Sequence, residues 1–259
     1  MTPQPAGPVP RQLPPSPSGF VGRTVQLAEL DRQVAASRAA VVLHGAGGMG
    51  KTALALHWAH GHAGDFPAGQ LFLDLRGYGP EAPLSAVDAL GVLLRSLGVD
   101  AGAIPADESG RAGLWRTVTV GRRLLVLLDD VRDPAQVRPL LPAAGSLVLV
   151  TSRGQLRGLS AREGAVPVPL DDLSDADARR ILAGAVGTER IAAEPGIVGE
   201  LIGLCGGMPL ALRLVAELVA RRSESTLPAL VEELREGRLD SMADPSDPQA
   251  DLRAVFSWS

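Results

Sequence analysis

Residues Gly45-Ala46-Gly47-Gly48-Met49-Gly50-Lys51-Thr52 constrain this chain more than any other stretch, because they carry the spacing G-x-x-x-x-G-K-[ST] of a phosphate-binding loop. Lys51 is the sole lysine among 25 Lys and Arg residues. A chain that uses arginine for every other cation has kept one ammonium here. An ammonium is a compact point charge on a flexible stem that reaches between the β- and γ-phosphates, whereas guanidinium is a planar fork suited to bidentate pairing. The apolar run Ala39-Ala40-Val41-Val42-Leu43 precedes the loop and the helix-prone Ala53–Ala59 follows it, giving the required order of strand, glycine loop and helix. Glycines let backbone N–H groups turn inward around phosphate oxygens, and the new helix adds the positive end of its dipole. The expected phosphate-binding set is therefore Gly45, Gly47, Gly48, Met49, Gly50, Lys51, Thr52 and Ala53, with the Thr52 hydroxyl on Mg²⁺. In a chain with 30 Gly the bland alternative is a glycine-rich turn with an incidental Lys and Thr. The flanking strand and helix weigh against it.

Composition narrows the rest. The 259 residues are 46% hydrophobic, ample for a buried core, and the net charge of −4 supplies no basic surface for direct nucleic-acid binding. Cys205 is the single cysteine, so no internal disulfide forms, and no apolar run approaches the roughly 20 residues that span a bilayer. These features point to a reduced, cytoplasmic, soluble protein. Prolines at positions 3, 5, 8, 10, 14, 15 and 17 make residues 1–18 read as an extended, disordered linker.

Further strands are expected at Gln70–Leu75, Leu124–Leu128, Leu147–Val150 and Ala165–Leu170, the last confined to a sheet edge by its two prolines. Helices are expected after Ser85, with Leu90, Leu93, Leu94 and Leu97 on one face, and over Ala106–Val120. Alternating strands and helices predict an α/β fold, a three-layer sheet with helices on both faces, over residues 19–172. From Ser174 the pattern is helical only: Ser174–Val186, Pro195–Cys205, Met208–Arg222 and Leu227–Arg235, a small helical subdomain over 173–242. Leu252, Val255 and Phe256 then stand at helical spacing, as if another amphipathic helix were starting.

Arg122–Asp130 has the form of a Walker B strand, whose end lies beside the phosphate loop in such a sheet. Asp129 is placed to hold Mg²⁺ through water, and Asp130 to position a water for attack on the γ-phosphorus. The alternative is that the two acids solubilise a loop or cap the helix at Pro134. Arg153 ends the next strand, where it would sense the γ-phosphate unless it is, like Arg157 and Arg162, an exposed loop arginine. His57, His60 and His62 lack the Cys or carboxylate companions of a zinc site. Trp115, with Leu114 and Val118 at helical spacing, reads as core.

Phe20-Val21-Gly22-Arg23, the phosphate loop, Leu128-Asp129-Asp130, Thr151-Ser152-Arg153 and Gly206-Gly207-Met208-Pro209-Leu210-Ala211-Leu212 stand in one order over residues 19–259. Together they resemble the NB-ARC signalling ATPases of the STAND class, and more closely the ATPase segment of large SARP-type transcriptional regulators of actinomycete antibiotic pathways. The resemblance implies a P-loop NTPase fold, ATP/ADP and Mg²⁺ as ligands, Val21 and Arg23 at the adenine and ribose, and Pro209 closing over adenine. Beside that role, Pro209 also reads simply as a first-turn helix proline with Gly206-Gly207 a flexible joint before it, and both can hold at once. The resemblance makes residues 243–259 the truncated start of a winged-helix domain. It further implies slow ATP hydrolysis with Lys51, Asp130 and Arg153 as catalytic residues, nucleotide-dependent self-association, and adjoining DNA-binding and activation domains as partners. Three alternatives stand beside a regulatory ATPase: an interaction module that binds ADP or ATP with negligible turnover, a small-molecule kinase without a recognisable acceptor pocket, and direct DNA binding, which the charge disfavours. No membrane partner is expected.

Overall fold

The computed structural model describes residues 9–36, 39–79, 81–221 and 226–236. They form two compact units. The first comprises the chain up to Pro17, Thr24–Gly45 and Lys51–Pro169; the second comprises Ser18–Arg23, Ala46–Gly50 and the chain from Leu170.

In the first unit, helix α1 (Thr24–Ala35) leads into β1 (Ala40–His44), the phosphate loop and α2 (Lys51–Gly61). β2 (Gly69–Asp74), α3 (Ala86–Ser96), α4 (Glu108–Thr119), β3 (Leu124–Val131) and the one-turn α5 (Pro134–Val137) follow, then β4 (Leu147–Ser152), α6 (Arg157–Glu163) and β5 (Val166–Pro169). The five strands form one parallel sheet in the order β2-β3-β4-β1-β5. Their apolar residues alternate between two faces, as the two-residue period of a strand requires. Val42, Leu71, Leu73, Leu124, Val126, Leu128, Val148 and Val150 join a core with Leu90, Leu93 and Leu94 of α3 and Trp115 of α4. Val41, Leu43, Leu125, Leu127 and Leu149 lie outside that core and are fully buried too, so the opposite face is also covered. On α2, Leu54, Ala55 and Ala59 are fully buried. Continuous apolar runs are what a parallel sheet buried on both faces demands. The expected three-layer α/β fold is borne out, β5 at the sheet edge included. Trp115 is fully buried, its indole N–H donating to the Leu140 carbonyl at 2.9 Å.

Several local expectations differ. Residues 9–17 do not run free: the Gln70 N–H donates to the Pro10 carbonyl at 2.8 Å and the Gln12 N–H to the Gln70 carbonyl at 2.9 Å. This strap lies along the outer edge of β2, because its non-proline residues retain the donors that an open sheet edge can accept. His60 Nε2 lies 2.8 Å from the Pro14 carbonyl and the Gln12 amide donates to Ser96 Oγ at 2.9 Å, fastening the strap further. Arg157 and Arg162 sit on α6 rather than in a loop. α1 was not foreseen; it is fixed by Leu30, fully buried, and by Asp31, which accepts a 2.8 Å hydrogen bond from the Trp58 indole of α2.

The second unit contains α7 (Asp175–Val186), α8 (Thr188–Ala193), α9 (Pro195–Leu204), α10 (Pro209–Arg221) and α11 (Leu227–Arg235). Ser174 caps α7 by accepting the Asp177 N–H, and Thr226 caps α11. Leu182, Leu201, Leu212, Val215 and Leu230 line its apolar interior. Gly206-Gly207 is a helix stop rather than a flexible joint. The Gly206 N–H bonds to Gly203 and the Gly207 N–H to Ile202, a Schellman closure of α9 that occupies both glycine amides. The expected linker residues 1–8, the end of the helical subdomain at 237–242 and the winged-helix start at 243–259 lie outside the described residues.

Candidate nucleotide-binding site

The ends of β1, β3 and β4 bring the expected residues together within the first unit. Lys51 opens α2, and its ammonium donates to the Gly45 carbonyl at 2.8 Å, reaching back across the mouth of the loop. Burial pushes the Lys51 pKa down to about 8, reinforced by the positive charge of Arg153 and opposed by Asp129 and Asp130. An ammonium whose charge burial disfavours is one that a polyanionic ligand would stabilise.

Thr52 Oγ1 donates to Asp129 Oδ1 at 2.8 Å, and Thr151 Oγ1 donates to the same oxygen at 2.5 Å. Burial raises the Asp129 pKa; the hydroxyls of Thr151 and Thr52 pull it down, while Asp74 and Asp130 raise it further. Asp74 pairs in register with Asp129 on the neighbouring strand. The Asp129 carboxylate with the Thr52 hydroxyl already turned to it is an oxygen pair that suits a divalent cation whose other ligands are water and phosphate. Residues Thr52 and Asp129 are the pair that would hold it.

Between Leu128 and Val131 the β3–β4 register shifts, and Asp130 adopts φ +51. A non-glycine residue in the left-handed region at a strand bulge is a local strain, of the kind that re-aims side chains beside functional sites. Thr151 Oγ1 accepts the Asp130 N–H at 3.0 Å while donating to Asp129, so one hydroxyl fixes both acids. Asp130 Oδ2 accepts the Tyr78 N–H at 2.9 Å, and its carbonyl accepts the Gly77 N–H at 2.7 Å. Arg153 is exposed, with its guanidinium carbon 4.7 Å from the centre of the Tyr78 ring. Its charge stays close enough to depress Lys51. In the sequence Thr151 stands in a motif that assigns it no role, and nothing marks Tyr78. Only the folded bulge shows what they do.

Within the second unit the tip of the phosphate loop meets Arg23 and the start of α10. The Arg23 side chain is buried: Nη1 donates to the Asp171 carbonyl at 2.6 Å and Nη2 to the Met49 carbonyl at 3.0 Å. Both ends of the guanidinium fork are spent on main chain, which differs from the ribose-lining role implied above. Burial lowers the Arg23 pKa, opposed by Asp171, Asp172 and Asp177. The Leu210 N–H donates to the Gly48 carbonyl at 3.2 Å. Gly48 has φ +75, and a Cβ there would lie 2.7 Å from the Met208 sulfur, so only glycine fits. Pro209 starts α10 beside Gly50, its ring 3.9 Å from where a Gly50 Cβ would sit. Val21 is half-buried. Of the histidines, His62 stacks on Trp58 at 4.3 Å between ring centroids, and His57 is exposed. Among the described residues no cluster of three or more His, Cys, Asp or Glu has metal-site geometry.

The chain is 41% identical over 239 residues to the regulatory protein AfsR of Streptomyces coelicolor, a match that covers 88% of this chain and 24% of that protein. The chain is homologous to a segment of the AfsR regulatory proteins. The AfsR of Streptomyces griseus is 40% identical over 234 residues, again 88% of this chain and 24% of the relative. The chain thus spans about a quarter of the length of the curated relatives it matches. No family model matches it. Among solved structures, a signal transduction ATPase with numerous domains (STAND) protein with a tetratricopeptide repeat sensor from Pyrococcus horikoshii superposes with a TM-score of 0.55. It is 22% identical, and the match covers 89% of this chain and 34% of that one. That likeness establishes the fold alone. The resemblance drawn from the five motifs is borne out by these matches. No helix among the described residues is long and apolar enough to cross a membrane.

Proposed function

We propose that this chain is the nucleotide switch of a transcriptional regulator, binding ATP or ADP with Mg²⁺ and hydrolysing ATP slowly to time its conformation and self-association. One observation carries the reading: Lys51, Thr52, Asp129 and Asp130 converge at the carboxyl ends of β1 and β3, where ligands of open α/β sheets bind. Lys51 neutralises phosphate oxygens as they gain charge. Thr52 and Asp129 hold the cation, which offsets phosphate charge when bound. Asp130 orients the attacking water, and Arg153 discriminates ATP from ADP. The homology to AfsR supports the regulatory setting, with DNA-binding and activation domains as partners in the full-length protein.

The reading of a nucleotide-dependent interaction module with negligible turnover is favoured by one detail, the Tyr78 N–H that occupies Asp130 Oδ2. Asp130→Asn separates the two. A switch ATPase loses phosphate release, by roughly 10²-fold or more, with ADP affinity unchanged. A module shows no release in the wild type to lose. Chromatography of nucleotide freed from denatured protein identifies base and phosphate number, and absence of nucleotide together with failure to bind ADP or ATP in titration defeats both readings.

A further inference from the structure

We propose that Arg23 is a positioning residue for the phosphate loop, aiming the loop's main-chain N–H groups at a polyphosphate rather than touching the nucleoside. The inference rests on the nucleotide reading above and assigns to Arg23 a different task from the one the motif resemblance implies.

The physical argument begins with the peptide plane. In a trans peptide the C=O and the following N–H point in opposite directions, so fixing one fixes the other. Arg23 Nη2 holds the Met49 carbonyl at 3.0 Å, which directs the Gly50 N–H the opposite way. Among the described residues that N–H donates to no protein group. One residue earlier, the Leu210 N–H holds the Gly48 carbonyl at 3.2 Å and so orients the Met49 N–H in turn. Two consecutive carbonyls of the loop are thus turned outward by donors distant in sequence. A loop that binds anions needs this: any carbonyl rotating inward would present a partial negative charge to the phosphates.

Arg23 is built for a fixed task. It is 7% exposed and sits at φ +61, directly after Gly22 at φ +75. A Cβ on Gly22 would lie 2.5 Å from an Asp177 carboxylate oxygen, so this tight turn is seated against α7. The other end of the fork is anchored on the Asp171 carbonyl at 2.6 Å, which ties the Met49 carbonyl to the chain entering the helical unit. Guanidinium offers two such donors, on separate nitrogens, in one rigid fork.

The test compares ADP and inorganic pyrophosphate, which share a diphosphate and differ by the nucleoside. Dissociation constants are measured for both with the wild type, Arg23→Lys and Arg23→Met. Positioning predicts that Arg23→Met weakens both ligands by a similar factor of ten or more, that Arg23→Lys, able to reach one carbonyl at a time, falls between, and that the protection the Gly50 N–H gains when ADP binds is reduced in the variants. If Arg23 served the ribose or adenine, ADP would lose affinity while pyrophosphate would not, which overturns the proposal, as does equal binding by all three proteins. If Arg23→Met fails to fold, Arg23→Lys carries the comparison under the same criteria. A wild type that binds neither ligand overturns the nucleotide reading itself, an outcome distinct from variants that merely match a binding-competent wild type.

Discussion

Lys51 shows at single-residue scale how the loop prepares for its ligand and how pH should act on it. Its folded pKa of about 8 lies below the usual lysine value because burial and Arg153 disfavour the charge. In the free chain Lys51 is mostly charged below pH 8 and mostly neutral above it. Phosphate oxygens favour the charged form, so binding above pH 8 must take up a proton. ADP affinity should therefore be flat to about pH 7 and fall about tenfold between pH 7 and 9, following the protonated fraction of the free side chain. Calorimetric titration at pH 9 in two buffers of different ionisation enthalpy should reveal uptake of nearly one proton. Affinity that stays constant from pH 7 to 9 would remove Lys51 from the phosphates. Lys51, Thr52 and Asp129 were legible in the sequence because each lies inside a contiguous motif whose spacing encodes its geometry. The direction of Arg23 was not, since its partners Met49 and Asp171 lie 26 and 148 residues away. Nor was the role of Thr151, which depends on the bulge at Asp130.

At the scale of elements, strands were the most readable parts, because burial on both faces leaves uninterrupted Val and Leu runs such as Leu124–Leu128. α1 escaped notice because its apolar content is thin; Leu30 is its one fully buried side chain, and a tertiary bond from Trp58 completes its seat. The proline strap was misread for a related reason. Composition argues against a regular element, yet an edge needs only a few donors and acceptors at the right spacing, which Pro10 and Gln12 supply. Gly69 allows that approach: it has φ +124, and a Cβ there would stand 2.7 Å from the Pro10 carbonyl oxygen. Gly69→Ala should displace the strap and cost about 1–3 kcal/mol from backbone strain and the lost edge pairing. Hydrogen exchange should then rise at Gln12 and Gln70, and protease should cut sooner within residues 9–17. Unchanged protection at Gln12 in a folded Gly69→Ala protein would mean that the edge pairing does not depend on the space left at Gly69.

For the whole molecule, ligand binding and stability are one equilibrium. A ligand that binds the folded chain and not the unfolded chain stabilises it by RT ln(1 + [L]/Kd), about 2.7 kcal/mol at a hundredfold excess over Kd. Spread over the unfolding entropy of a chain of this size, that corresponds to a rise of roughly 5–10 °C in the melting midpoint. The phosphate loop has no rigidity of its own, being rich in glycine, and its shape is imposed by Lys51 on Gly45 and by the bonds to Gly48 and Met49. ADP or ATP with Mg²⁺ should therefore produce this shift in the wild type, and Lys51→Ala should abolish it while leaving the midpoint of the free protein nearly unchanged or higher. The sign for the free variant follows from the depressed pKa: an ammonium that burial disfavours is a net cost to the folded state at neutral pH, and its removal relieves that cost. Chelating Mg²⁺ should reduce the shift given by ATP, the more so because Asp129 and Asp130 would then face phosphate charge without a cation between them. A thermal scan with four samples, wild type and Lys51→Ala each with and without Mg·ATP, checks this; an equal shift in both proteins would locate the nucleotide away from the loop.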